Sequence, residues 1–274
     1  MPELPEVERI RRIIEPQIKG HIIKSLIINR EDIISHPAAD EFSKSVENKK
    51  VESMSRRGKF LTINLSSEDK IILHLRMTGQ LLVTPPDYPL EKHTHLVFIL
   101  DNQKELRYID PRRFGRFWLI HKNEEDTYSG IYKLGIEHFD EKLTANYLKE
   151  KLSKRNKAIK ECLLDQSIVT GIGNIYADEI LFDTFIHPKR KASSLSDKEF
   201  ADLASSIPKI LHSAIEDYPL SPEEYLAGKG KKYGNSDLIK IYNHQNKPCP
   251  RCNTLLQKTT ISGRSSTFCP NCQK

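Results

Sequence analysis

At 274 residues, with 38% hydrophobic and 29% charged side chains, the chain is long enough to bury a substantial core and too apolar to be disordered. Its longest apolar runs, such as LVFIL at 96–100, fall far short of the roughly 20 residues that a membrane helix needs. The start, MPELPEVER, is charged from its third residue, unlike a secretory signal, so the cytoplasm is the expected location. A net charge of +6, with basic clusters at Arg56, Arg57 and Lys59, at Arg112, Arg113 and Arg116, at 151–160 and at 229–232, leans towards a polyanionic partner.

Residues 3–15 read as one helix, with Val7, Ile10, Ile13 and Ile14 on one face and Pro16 near its end. From about 21 to 121 the pattern changes to short β runs: HIIKSLIINR, KFLTINL, KIILHLRMTGQLLV, THLVFIL, ELRYID and RFWLI. Short strands with polar breaks indicate a sandwich or flattened barrel. Residues 122–142 are polar and read as a linker. LTANYLKEKL and AIKECLLDQ are helical, the second placing Cys162 in the core. SIVTGIG turns the chain sharply, with Gly171 and Gly173 free to take positive φ, and a helix begins at Asn174. Ser196 and Glu199 form a capping box for a long helix to about 216, which Pro208 is expected to kink or divide. Residues 226–237, with three glycines and several lysines, read as a mobile basic loop.

Four of the five cysteines fall in the last 26 residues, as Cys249-x-x-Cys252 and Cys269-x-x-Cys272 with sixteen residues between the pairs. That spacing suits a zinc ribbon of two hairpins, four thiolates holding one structural zinc ion. Two disulfides are the competing reading, disfavoured in a reducing cytosol. The fold class expected is α+β: an N-terminal β-sandwich with a leading helix at 1–125, a linker at 126–142, a helical domain at 143–240 and a zinc ribbon at 241–274.

The chemistry starts at the N-terminus. Met1 precedes a small residue and is expected to be removed, which leaves Pro2 with a free secondary amine. An α-amino group titrates at about 7.7–8.0, so a useful fraction is neutral and nucleophilic at physiological pH. By position alone, the start of a helix is the better reading of Pro2. The whole word, PELPEVE, together with RRGKF at 56–60, HLRMTG at 74–79, DPRRFGR at 110–116, LLDQSIVTGIGNIYADEIL at 163–181 and GRSSTFCPNCQ at 263–273, resembles the formamidopyrimidine-DNA glycosylase family over essentially the full length.

The resemblance implies a helix-two-turn-helix in the helical domain and a bifunctional glycosylase and lyase that excises oxidised purines from duplex DNA. Pro2 would attack C1′ of the damaged nucleotide, Glu3 would shuttle the proton, and Glu6 matches the second acid beside the amine. Lys59 would donate a proton during β-elimination, and Arg264 would assist δ-elimination. The chemistry needs these types: an amine, a carboxyl acid–base and cations near departing phosphates. Met77, Arg112 and Phe114 would fill the gap left by the extruded nucleotide and face the orphaned cytosine. His93, Arg113, Arg155, Lys160 and Asn174 would contact phosphates, Asn174 by capping a helix behind two glycines. Arg112 and Arg113, taken as neighbours in an extended stretch, would point in opposite directions. The partner implied is double-stranded DNA carrying a damaged base, met by a monomer, with no membrane involved.

The chain departs from the family pattern in KKYGNSD, where a Phe-Gln is expected in the damaged-base lid, and in IYNHQNKPC before the ribbon. Two other readings stay open. One is an endonuclease VIII-like glycosylase for oxidised pyrimidines, which shares the proline, glutamate, lysine and ribbon. The other is a noncatalytic zinc-ribbon DNA-binding protein of the same fold.

Overall fold

The computed structural model describes residues 2–216, 220–231 and 239–274. The chain divides into two compact units, Met1–Tyr132 with Pro219–Gly234 and Lys133–Tyr218 with Asn235–Lys274. No helix among the described residues is long and apolar enough to cross a membrane.

The first unit opens with α1 (Leu4–Ile18), whose Leu4, Val7, Ile10, Ile14 and Ile18 recur at helical spacing and are buried. Glu15 anchors the helix by accepting the Met54 N–H at 2.9 Å. The helix carries on past Pro16 to Ile18. Nine strands follow, with α2 (Ala39–Val46) between the second and third: β1 (Ile22–Ile28), β2 (Ile34–His36), β3 (Lys49–Arg57), β4 (Phe60–Leu65), β5 (Lys70–His74), β6 (Gln80–Thr84), β7 (Thr94–Leu100), β8 (Glu105–Ile109) and β9 (Arg116–Ile120). They pair in the order β2-β9-β5-β4-β3-β1-β7-β8-β6, all antiparallel except β2 with β9.

Strand β1 joins β3 only through Ile22 and Ile23, then runs along β7 for the rest of its length. The ribbon therefore folds over at β1. Phe117 of β9 meets Tyr108 of β8 edge-on at 4.8 Å and Phe98 of β7 at 6.4 Å. None of these strands is a neighbour of β9 in the sheet, so the two halves pack face to face as a sandwich. The core between them holds Leu61, Ile63, Leu73, Leu96, Phe98, Leu106 and Leu119, and it includes Tyr225 from α7 (Pro222–Ala227).

The second unit contains α3 (Ala145–Leu152), α4 (Ile159–Leu163), α5 (Asn174–Asp183), α6 (Asp197–Glu216) and the hairpin β10 (Gln257–Ile261) with β11 (Arg264–Phe268). Its core is Leu148, Leu152, Ile159, Cys162, Ile180, Leu203, Ile207 and Leu211 with their neighbours. The capping box expected at Ser196 and Glu199 forms, each backbone N–H donating to the other's side chain. Pro208 neither ends nor divides α6. Half of the basic loop expected at 226–237, residues 232–237, lies outside the described residues, and its first two residues close α7.

Candidate active site and nucleic-acid interface

Pro2 and Glu3 are buried at the start of α1. Glu3 and Glu6 form a reciprocal capping box, in which the Glu6 carboxylate accepts the Glu3 N–H at 2.7 Å. Two of the helix's first donors are satisfied this way, and both carboxylates are held beside the proline. Lys59 follows Gly58 in the β3–β4 turn, where φ of +57° at the glycine lets the hairpin close. Its side chain is largely buried. The ammonium acts on His74 at the end of β5, whose pKa is lowered to about 3 by burial first, then by the charges of Arg76 and Lys59. His74 Nδ1 accepts the Arg76 N–H at 2.9 Å, which leaves the ring proton on Nε2. A neutral imidazole donor near Lys59 is a feature that sequence reasoning missed; its only sequence signal is its place at the head of HLRMTG.

Met77, Arg112 and Phe114 come together. The Arg112 guanidinium donates to Met77 Sδ at 3.2 Å and lies 4.6 Å from the Phe114 ring centre. Met77 and Phe114 are 42% and 46% exposed, an unusual state for large apolar side chains and the state a wedge requires. Arg112 and Arg113 do not stand in an extended stretch: Arg113 has φ of +58°, so 110–115 is a tight turn, and the alternation argument does not apply. Arg113 is exposed, and its carbonyl accepts from Arg116 Nη1 at 2.8 Å. His93 is half-buried, and its carbonyl accepts the Asp110 N–H at 3.0 Å.

In the second unit Arg155 is half-exposed and paired with Asp165 at 2.7 Å. Gly171 has the positive φ expected, +94°, whereas Gly173 is extended. Gly173 is also the N-cap of α5, so Asn174 is the first helical residue and not the cap. The expected phosphate contact of Lys160 is a misreading. Its ammonium is fully buried, 2.7 Å from Asp178 and 2.8 Å from the Ser265 carbonyl. No phosphate can displace such a partner without exposing a buried charge. Arg264 stands exposed beside the two-residue turn Ser262-Gly263, both at positive φ, at the tip of the β10–β11 hairpin.

The four expected cysteines converge: their sulfurs all lie within 4.8 Å of one another, with separations of 3.3, 3.5 and 3.9 Å among them. An ion bonded to four thiolates at about 2.3 Å sets them about 3.8 Å apart, so the donor set fits one structural zinc ion. Helix α5 holds this ribbon. Asp178 accepts from Ser266 Oγ at 2.6 Å and the Thr267 N–H at 2.9 Å, both on β11. Glu179 accepts the N–H groups of Lys240, Ile241 and Tyr242 at 2.9–3.0 Å. Arg251, between two zinc ligands, lies 4.1 Å from the ring centres of both Phe182 and Phe185.

Three family models match in order: the formamidopyrimidine-DNA glycosylase N-terminal domain over residues 1–117, its H2TH domain over 134–221, and a zinc finger found in FPG and IleRS over 246–274. The formamidopyrimidine-DNA glycosylase of Pelotomaculum thermopropionicum is 39% identical over 274 residues, covering 100% of this chain and 99% of the relative. That of Desulforamulus reducens is 40% identical over 275 residues, with the same coverage. Among solved structures, Lactococcus lactis Fpg bound to DNA with an abasic site superposes with a TM-score of 0.89 at 32% identity, over 100% of both chains. The same enzyme bound to Fapy-dG DNA gives 0.89 at 33%, over 99% of this chain and 100% of the other. The chain belongs to the formamidopyrimidine-DNA glycosylase family.

Proposed function

We propose that the protein excises oxidised purines, 8-oxoguanine and formamidopyrimidines, from duplex DNA and then cleaves the strand, working in the cytoplasm at the nucleoid. The observation that carries the reading is the start of α1: Pro2, buried directly ahead of two carboxylates locked in a reciprocal capping box. With Met1 removed, the neutral Pro2 amine attacks C1′; the C1′–N bond forms as the glycosidic bond breaks. Glu3 gives a proton to the departing base, takes up the N–H proton that the attached amine sheds, and passes it to O4′ as the sugar ring opens. The product is a cationic iminium, which acidifies C2′; loss of that proton expels the 3′ phosphate. Glu6 holds the Glu3 backbone in place. Lys59, with neutral His74 beside it, supplies positive charge and a proton where phosphate departs. Arg264 assists the second elimination, which releases the 5′ phosphate.

Met77 and Phe114 wedge into the gap and Arg112 donates to the orphaned cytosine, a contact worth roughly 1–3 kcal/mol of discrimination. His93, Arg113, Arg155 and Asn174 grip the backbone. The zinc ion, held by Cys249, Cys252, Cys269 and Cys272, supplies rigidity to the ribbon that carries Arg264 and takes no part in the chemistry. Domains are assigned as a β-sandwich over 1–125, a linker over 126–142, the helical part over 143–240, of which 219–234 group with the sandwich unit, and the ribbon over 241–274.

Adding one residue ahead of Pro2 turns its amine into an amide. Borohydride reduction during reaction with 8-oxoguanine DNA is expected to trap a covalent adduct with the natural N-terminus and none with the extended one. Trapping that survives the extension assigns the nucleophile to another amine.

A further inference from the structure

Asp110 is absent from every role so far, yet it is fully buried and its carboxylate accepts five hydrogen bonds. Its Oδ1 accepts from Thr78 Oγ1 at 2.5 Å and from the Arg112 N–H at 3.1 Å. Its Oδ2 accepts from Tyr108 OH at 3.0 Å, the Phe114 N–H at 2.8 Å and the Gly115 N–H at 2.9 Å. Its carbonyl accepts from His95 Nε2 at 2.8 Å and the Arg113 N–H at 3.2 Å. Thr78 follows Met77 in the β5–β6 turn, while Arg112 and Phe114 lie in the β8–β9 turn. One carboxylate thus ties together the two turns that carry the wedge.

The packing leaves this arrangement little room to shift. A Cβ built on Gly115 would lie 1.8 Å from Tyr108 OH, and one on Gly79 would lie 2.5 Å from the Leu75 carbonyl and 2.9 Å from the same hydroxyl. Both turns are closed against the phenol that donates to Asp110. The Met77–Arg112–Phe114 stack is therefore braced by the fold itself, with the guanidinium held between the sulfur and the ring. A side chain that had to be ordered on binding would lose part of its discrimination to that ordering.

We propose that Asp110 is a positioning residue for opposite-base recognition: by accepting from Thr78, Arg112 and Phe114 together, it makes the wedge one preassembled body and sets the preference for damage opposite cytosine. The proposal rests on the reading of Arg112 given above. Its chemistry distinguishes the two oxygens. In Asp110→Asn the amide can retain the Tyr108, Phe114 and Gly115 donors on its oxygen and turn its NH2 towards Thr78, whose hydroxyl can reverse and accept. Only the Arg112 N–H is then left without an acceptor. The substitution acts on Arg112 and spares Phe114.

The test measures single-turnover excision of 8-oxoguanine opposite cytosine and opposite adenine for wild type, Arg112→Ala, Asp110→Asn, the double variant and Thr78→Val, each checked for wild-type thermal unfolding. Asp110→Asn is expected to lower the cytosine-to-adenine rate ratio about tenfold, within the range that a lost base contact spans. The double variant is expected to match Arg112→Ala alone, because the two act through one contact. Thr78→Val, which removes a single donor, serves should Asp110→Asn fail to fold, and is expected to lower the ratio several-fold. A merely structural role would slow excision opposite both bases equally and leave the ratio intact, and that result in a folded variant overturns the proposal. An Arg112→Ala enzyme with an unchanged ratio instead overturns the reading of Arg112.

Discussion

His74 shows how far burial can move a single residue. Folded, it stays neutral down to about pH 3, whereas an ordinary imidazole takes a proton near 6.5. Between those values the unfolded chain binds a proton that the folded chain refuses, so stability rises with pH there and is lost on acidification. The accumulated loss is on the order of 4 kcal/mol. His74→Gln is expected to flatten the acid limb of unfolding free energy against pH by about one proton near pH 4.5; parallel limbs for the two proteins would show that the ring is protonated in the fold. Legibility at this scale followed chemistry that is local in the chain. The cysteine pairs carry their own spacing, whereas Pro2, Glu3 and Glu6, within five residues of one another, stood out only through the family word PELPEVE. Lys160 was misread because a lysine in a basic stretch looks solvated until its buried partner, Asp178, is known. Asp110 was passed over because its value lies in donors gathered from two separate turns, which no run of letters displays.

Among the elements, β3 went unseen in the sequence for a definite reason. Its buried residues are Val51 and Met54, three apart, because the ladder with β4 shifts register between Val51 and Ser53. A bulge breaks the period of two on which strand recognition depends. Strand β1 has a like shift between Ile23 and Ser25, but five of its seven residues are apolar and still mark it, whereas β3 is mostly polar; β2 is too short to have a pattern. Helix α5 was expected for its N-terminus, yet much of its work is done further along, by Asp178, Glu179 and Phe182, which hold the ribbon. Removing Asp178 strands the Lys160 ammonium in a buried place and orphans the Ser266 and Thr267 donors. Asp178→Ala is therefore expected to destabilise the second unit by roughly 3–5 kcal/mol and to speed zinc release to a chromogenic chelator. Denaturant unfolding within about 1 kcal/mol of wild type would mean that the pair contributes little and the ribbon holds itself.

On the scale of the whole molecule there are separate cores, one inside the sandwich and others among the helices and around Phe182, Ile241, Leu256 and the zinc ligands. Binding energy in small zinc sites is largely folding energy, on the order of 10 kcal/mol. Cys249→Ser is expected to abolish zinc binding and collapse hydrogen-exchange protection in β10 and β11, while β3, β4 and β5 stay protected; loss of protection throughout would show a single cooperative unit. The sandwich core is itself not drawn from one continuous stretch. Tyr225 is buried in it, Leu220 and Leu226 pack on it, and α7 lies against α1 and β6, although some ninety residues of the other unit intervene. The polypeptide leaves its first unit, builds most of the second, and returns to finish the first. A ribosome emitting this chain must therefore hold the sandwich incomplete while most of the helical unit is made. A gene truncated after Tyr132 would encode a sandwich with Leu82 and its neighbours bare. Cutting the chain after Tyr132 therefore does not yield two complete modules that could be rejoined end to end.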